Sequence, residues 1–146
     1  MKTLKQKASD AMSKYTRLRD AIEYNSQFPE DITGTQYENL LVACCTCGDI
    51  KKWTRMDAGH FIPRGSRGES GVYFDERNIH AQCKSCNNFL QGNTLAYNDF
   101  MLKKYGQKVV NELRKKDLIR KQITPLQYRA MIKYYTDEFE RLKEQL

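Results

Sequence analysis

Two short strings, Cys44-Cys45-Thr46-Cys47-Gly48 and Gln82-Cys83-Lys84-Ser85-Cys86-Asn87, decide how the rest of the chain is read. Each holds a C-x-x-C knuckle, a turn that brings two thiolates close enough to share one ion. Two knuckles complete a tetrahedral four-sulfur cage. Four thiolates leave zinc no open position, so Cys44, Cys47, Cys83 and Cys86 predict one structural Zn2+ per chain and not a catalytic one. Gly48 suits the tight turn behind the first knuckle. Cys45 is the odd thiol; it could replace Cys44, although Cys45-x-Cys47 is the poorer spacing. Disulfides are disfavoured in a reducing cytoplasm, and redox C-x-x-C motifs do not normally come in matched pairs. The 35 residues between the knuckles exceed a zinc-ribbon insert and should carry structure of their own.

Working outward, residues 41–93 hold all five cysteines, both histidines and the only tryptophan. Short runs there, Lys51 to Met56 and Gly71 to Phe74, suit strands. The flanks are helical in pattern. Leu4, Ala8, Met12, Tyr15, Leu18 and Ile22 recur at three- and four-residue spacing, and Pro29, Asp31 and Gly34 mark a break after them. Leu95 to Tyr105 is closed by Gly106, and Val109, Val110, Leu113 and Leu118 suggest a shorter helix. Thr124-Pro125-Leu126-Gln127 reads as a helix start with a cap, a proline at the first position and a capping-box glutamine. Its buried stripe should be Leu126, Ala130, Met131, Tyr134 and Tyr135, continued by Phe139 and Leu142. The expected architecture is α+β: a helical arm over 1–40, a zinc-braced core over 41–93, and a basic helical region over 94–146.

Charge separates these parts. The net charge is +7, and residues 94–146 carry twelve Lys/Arg against seven Asp/Glu. Lys103, Lys104, Lys108, Arg114, Lys115, Lys116, Arg120 and Lys121 form the excess. Such a cluster is either a solvated helix face or a phosphate-binding surface that gains free energy by releasing counterions from a polyanion. The longest wholly apolar run, Leu40 to Cys45, is far too short to cross a bilayer, and the N-terminus has no secretory pattern. A cytoplasmic protein is expected, in a host cell if the gene is viral, with no membrane partner.

Between and beside the knuckles lie Asp57-Ala58-Gly59-His60, then Asn78, then Asn87 directly after Cys86. The cage would pin both ends of a strand-turn-strand-helix unit, with His60 on the first strand, Asn78 in the loop before the helix and Asn87 on the helix. A neutral imidazole can take a proton from water, and a divalent ion held by the Asn oxygen can neutralise charge developing on a phosphodiester. His80 reads as hydrogen-bonding support, a DNA contact or plain packing.

The strings Asp57-Ala58-Gly59-His60-Phe61 and Phe74-Asp75-Glu76-Arg77-Asn78-Ile79-His80, with the two knuckle strings and Gly92-Asn93, resemble the NinG (Rap) recombination proteins of lambda-like phages. These resemble in turn the His-Asn-His, or ββα-metal, nucleases. The resemblance implies an endonuclease cutting branched DNA such as Holliday junctions and D-loops with Mg2+ or Mn2+, leaving 5′-phosphate and 3′-hydroxyl ends. It makes His60 the general base, Asn87 a metal ligand, and Asn78 the residue that ties the loop and orients His60.

Two positions depart from the superfamily pattern. Gly59 stands where many members have Asp, so either Asp57 supplies the second ligand or the ion rests on Asn87 and water alone. Leu90 stands where the helix often carries Lys, leaving a phosphate contact missing or supplied by Lys84. Arg64 and Arg67 should help hold the DNA backbone, while Arg77 could instead serve the fold. A junction has two strands to cut, which favours a homodimer joined through the apolar stripe of the first or last helix. The rival readings are a zinc-dependent DNA-binding module without catalysis, and a nuclease of the same type acting on linear duplex.

Overall fold

Both long helices begin with the same device. Thr3 and Thr124 each accept a hydrogen bond from the amide three residues on, and Gln6 and Gln127 reach back to the threonine amides. These capping boxes satisfy amides that a helix start leaves orphaned. They open helix α1 (Leu4–Ser26) and helix α4 (Pro125–Glu144) in the computed structural model, which describes residues 1–27, 36–63 and 71–146. The expected break at Pro29, Asp31 and Gly34 lies outside the described residues.

Two antiparallel hairpins form the centre. Strand β1 (Leu41–Ala43) pairs with β2 (Ile50–Lys52), and β3 (Asp57–His60) pairs with β4 (Ile79–Gln82). A π-helical turn, Ser85–Phe89, follows β4. Helices α2 (Thr94–Tyr105) and α3 (Gln107–Asp117) come next, separated by Gly106 at φ 88°, a conformation glycine adopts without strain.

Of the two expected strands, one is shorter than the sequence suggested and the other is a turn. The Lys51–Met56 run keeps its strand only to Lys52, then turns through a 3-10 segment, Trp53–Arg55, which buries the Trp53 ring and lets its Nε1 donate to the Tyr37 carbonyl at 2.7 Å. Residues 71–74 form a turn, not a strand, closed by the Asp75 amide donating to the Val72 carbonyl at 3.0 Å. Asn78 ends a 3-10 segment leading into β4, where a loop before the helix was expected.

The core has two lobes. In the larger, Met12, Tyr15, Leu18 and Ala21 of α1 meet Tyr135, Phe139 and Leu142 of α4 and the inner faces of both hairpins. The smaller packs Tyr97 and Met101 of α2 against Val110 and Leu113 of α3, with Phe61 and Val72. The α4 stripe is set one step differently from the sequence reading: Tyr128 takes the buried place, and Leu126, Ala130 and Tyr134 face outward. The helical period from Tyr135 runs back through Met131 to Tyr128, so Leu126 falls off the core face. The buried stripes of α1 and α4 pack against each other in one core cluster, while Leu126 and Tyr134 of α4 stay exposed. Among the described residues no helix is long and apolar enough to cross a membrane.

Candidate functional site

The cage assembles because both knuckles sit at strand ends. Cys44 follows β1 and Cys83 follows β4, while Gly48, at φ 81°, lets the first knuckle turn back toward β2. The Sγ atoms of Cys44, Cys47, Cys83 and Cys86 all lie within 4.8 Å of one another. Cys47 and Cys83 are 3.7 Å apart, close to the roughly 3.8 Å edge of a tetrahedron with Zn–S bonds of about 2.3 Å. The group could therefore hold a zinc ion.

Amides already point at the sulfurs. Cys83 N–H donates to Cys44 Sγ at 3.2 Å and Cys86 N–H to Cys83 Sγ at 3.4 Å. Burial raises the Cys44 thiol, but the Cys83 amide, the Thr46 hydroxyl and the Cys47 and Thr46 amides outweigh it and bring it down to about 6. Cys45 stays outside the cage. Its amide donates to Ala81, its side chain joins the smaller core lobe, and burial pushes its thiol up.

Beside the cage lies a cavity of about 490 Å³, with Asp57, His60, Tyr73, Lys84 and Asn87 among its lining residues. His60 ends β3. Its ring stacks on Tyr73 at 4.2 Å, and its Nε2 lies 3.0 Å from the Tyr73 carbonyl oxygen. A carbonyl can only accept, so Nε2 carries the proton and Nδ1 keeps its lone pair. Burial lowers the imidazole to about 4, with the Tyr73 carbonyl pulling only weakly the other way. The ring is therefore neutral near pH 7.

Asn78 is fully buried and clasps the loop behind His60. Its Oδ1 accepts from Ile62 N–H at 2.8 Å, and its Nδ2 donates to the carbonyls of Ile62 and Val72 at 3.0 and 3.2 Å. These bonds join Ile62, just after β3, to Val72, in the turn before the 3-10 segment. Asn87, in the π-helical turn, donates through Nδ2 to Asp57 Oδ2 at 3.0 Å, and Lys84 Nζ meets Asp57 Oδ1 at 2.6 Å. Burial raises the Asp57 carboxyl, but Lys84 and Asn87 outweigh it and keep it below the usual carboxylate range. Asp57 and Asn87 thus line, as a hydrogen-bonded pair, the cavity that His60 also lines.

Gly59 cannot carry a ligand. A Cβ there would fall 2.0 Å from Gln82 Oε1, and Gln82 is pinned by Nε2 donating to Gly92 O at 2.8 Å and Thr46 Oγ1 at 3.2 Å. Any side chain at this position would require the Gln82 amide to move out of these hydrogen bonds.

His80 is 2% exposed and does not line this cavity, which removes its reading as a DNA contact. Its Nδ1 lies 3.2 Å from Asp20 Oδ2 and 3.3 Å from Arg19 Nη2, and its Nε2 lies 2.9 Å from the Tyr105 hydroxyl. Burial would raise Asp20, but hydrogen bonding to His80, the Arg19 charge and the Ala81 amide hold it at about 2. This network ties α1 and α2 to β4.

Several basic residues expected on the DNA face are already engaged. Lys104 pairs with Glu23 at 2.6 Å, Lys116 with Asp75 at 2.9 Å and Arg120 with Asp117 at 3.7 Å, and Arg114 lies over the Phe61 ring. Lys103, Lys108, Lys115 and Lys121 are exposed and have no ion pair among the described residues. Arg77 serves the fold, bridging Asp75 and Glu112. Arg64 and Arg67 lie outside the described residues. The sequence reading missed Tyr73 and the α1 residues Ser9, Asp10, Ser13 and Arg17, which also line the cavity. No local motif marks them, because tertiary packing alone brings α1 across the hairpin.

The sequence pattern of a family described as Bacteriophage Lambda NinG protein matches residues 2–145. Protein ninG of Escherichia phage 933W is 37% identical over 70 residues, and Protein ninG of Escherichia phage lambda and of Salmonella phage P22 are each 36% identical over 70 residues. Each match covers 48% of this chain and 33% of the relative, so the aligned stretch spans a third of the length of these proteins. No solved structure matches the chain.

Proposed function

The chain belongs to the family of the bacteriophage lambda NinG protein, and from that premise and the geometry of the cavity we propose that it is a metal-dependent DNA endonuclease of phage recombination. The observation that carries this reading is a neutral, carbonyl-anchored His60 lining the same cavity as the Asp57–Asn87 pair. The fold class that goes with it is a zinc-braced ββα-metal core: hairpin β3–β4, then the Cys86–Asn87 turn. The substrate is branched DNA, cut by hydrolysis to 5′-phosphate and 3′-hydroxyl ends.

His60 Nδ1 accepts a proton from a water molecule as that water's oxygen bonds to phosphorus. The bond from phosphorus to the 3′ oxygen breaks, and the 3′ oxygen leaves with a proton from solvent. The Tyr73 carbonyl fixes the tautomer and stabilises the imidazolium that forms. Asp57 and the Asn87 amide oxygen are the hard donors that suit Mg2+ or Mn2+. A divalent ion held there supplies neutralisation of charge on the phosphate and leaving oxygen. Lys84 holds the Asp57 carboxylate ionised and in place. The four-thiolate cage brackets the unit, so a zinc ion there would set the distance between β3–β4 and Asn87 without entering the chemistry.

The test is cleavage with Mg2+ of a four-way junction beside a matched linear duplex. Cutting of the junction in preference to the duplex is expected. Equal cutting would replace branch specificity with general nuclease activity, and tight binding without cutting in Mg2+ or Mn2+ would make the protein a DNA-binding module.

A further inference from the structure

Helix α1 forms one wall of the cavity, and Arg17 is its one cation there. The side chain is held at three points. Its Nε donates to the Ser13 carbonyl at 3.1 Å, and its Nη1 donates to the Met56 and Trp53 carbonyls at 3.3 and 3.5 Å. The guanidinium also lies over the buried Trp53 ring, 5.4 Å from its centroid. A long, rotamer-rich side chain is thereby frozen before any ligand arrives, which removes much of the ordering cost of binding.

What the guanidinium lacks is a carboxylate. Arg19 meets Asp20 at 2.9 Å and Arg77 meets Asp75 at 3.0 Å, whereas among the described residues Arg17 has only neutral carbonyl partners. Its Nη2 has no hydrogen-bond partner among them either. A partly buried charge without a counter-ion is costly, and such charges are ordinarily paired. Burial lowers the Arg17 pKa, while Asp57 and Asp10 act on it only through longer-range attraction. The other cation of the cavity, Lys84, is committed to Asp57 at 2.6 Å, and Leu90 stands where a further helix cation could have been. The cavity thus holds one preorganised fork with an open prong.

We propose that Arg17 is a phosphate-binding residue of the site, its guanidinium taking the phosphate of the strand to be cut and placing it between Asp57–Asn87 and His60. A planar fork matches two phosphate oxygens in a way that a lysine ammonium does not. The assignment rests on the nuclease reading and gives α1 a direct part in the site.

The experiment uses the full chain and a junction whose cut position has been mapped with the parent protein. Binding is measured with Ca2+ in place of Mg2+, on all-phosphate DNA and on DNA with a neutral methylphosphonate at the mapped position. Arg17→Gln should weaken binding to all-phosphate DNA roughly ten- to hundredfold, the range for a hydrogen bond to a charged group. It should leave binding to the methylphosphonate DNA unchanged, because the contact is already gone. A merely structural role would weaken both equally, and that result overturns the proposal while the nuclease reading stands. If Arg17→Gln loses its zinc or its fold, Arg17→Lys replaces it and should show a smaller loss confined to the all-phosphate DNA. Loss on both DNAs, or on neither, overturns the proposal. A parent protein that never cuts any DNA with Mg2+ or Mn2+ overturns both readings together.

Discussion

His60 and His80 stand almost opposite each other on one hairpin, His60 beside Ile79 and His80 beside Gly59 in the register, yet they lead different lives. Both nitrogens of His80 are taken, by Asp20 and Arg19 on one side and Tyr105 on the other. His60 has one anchor, the Tyr73 carbonyl, and lines a cavity. The difference teaches that chemistry resides in what a side chain has left over. A fully satisfied buried histidine is a rivet between elements. A buried histidine with one unclaimed lone pair and no carboxylate to charge it has what a general base requires, the role proposed for His60.

The largest expected effect removes the frame of both histidines. Cys83→Ser should release zinc and unfold the hairpin, because metal-binding free energy at such a cage is also folding free energy. Elemental analysis and circular dichroism check it; a zinc-free protein that keeps its fold and activity would make the cage dispensable.

Next comes the rivet. His80→Ala strips a partner from Asp20 and from Tyr105, both inside the fold, and should cost roughly 1–3 kcal/mol by leaving buried groups unsatisfied. A lowered melting temperature with an unchanged cutting rate per folded molecule is expected. A rate loss with no stability loss would exchange the roles assigned to the two rings.

A third effect separates the rings by pH. The folded-state value of His60 is about 4 against an ordinary 6.5, so between these values the unfolded chain binds the extra proton. That contribution to stability is complete above pH 6.5 and is lost as pH falls toward 4. Asp20, held at about 2 against 3.8, contributes above 3.8 and loses its share only as pH falls through 2. Parent protein should therefore melt lower at pH 5 than at pH 7, and His60→Ala should flatten that difference. The same slope in His60→Ala would place the titrating group elsewhere. Cutting should hold between pH 8 and pH 5, where an unperturbed imidazole would already be failing.

The smallest effect lies farthest from the hairpin. Lys115→Gln should weaken binding to all DNA sequences alike and reduce the salt slope by about one unit per lost phosphate contact. Lys116→Gln should change the slope less, since that ammonium is already paired with Asp75 at 2.9 Å. Unchanged slopes in both would return α3 to a solvated face.

These residues also show what a sequence discloses. The cage, the caps at Thr124 and Gly106, and the grouping of Asp57, His60 and Asn87 around one cavity are legible because the two knuckles bracket them along the chain. The choice of Cys44 over Cys45 follows from spacing too, and the geometry agrees with it. Tyr73 and Arg17 are not legible: one acts through its backbone carbonyl and the other through a helix packed across the hairpin. The basic stretch misleads in the opposite sense, because a lysine in sequence carries no sign that an aspartate such as Asp75 waits for it in space. Gly59 could be read only as a missing ligand, and the Gln82 side chain that crowds the space beside it is a tertiary fact.

The most direct measurement is single-turnover cleavage of a four-way junction by His60→Ala beside the parent, with zinc content and junction affinity recorded on the same samples. The proposed role predicts a rate lower by ~10²- to 10⁴-fold, the usual worth of a general base, with zinc and affinity unchanged. A His60→Ala protein that cuts as fast as the parent would contradict it.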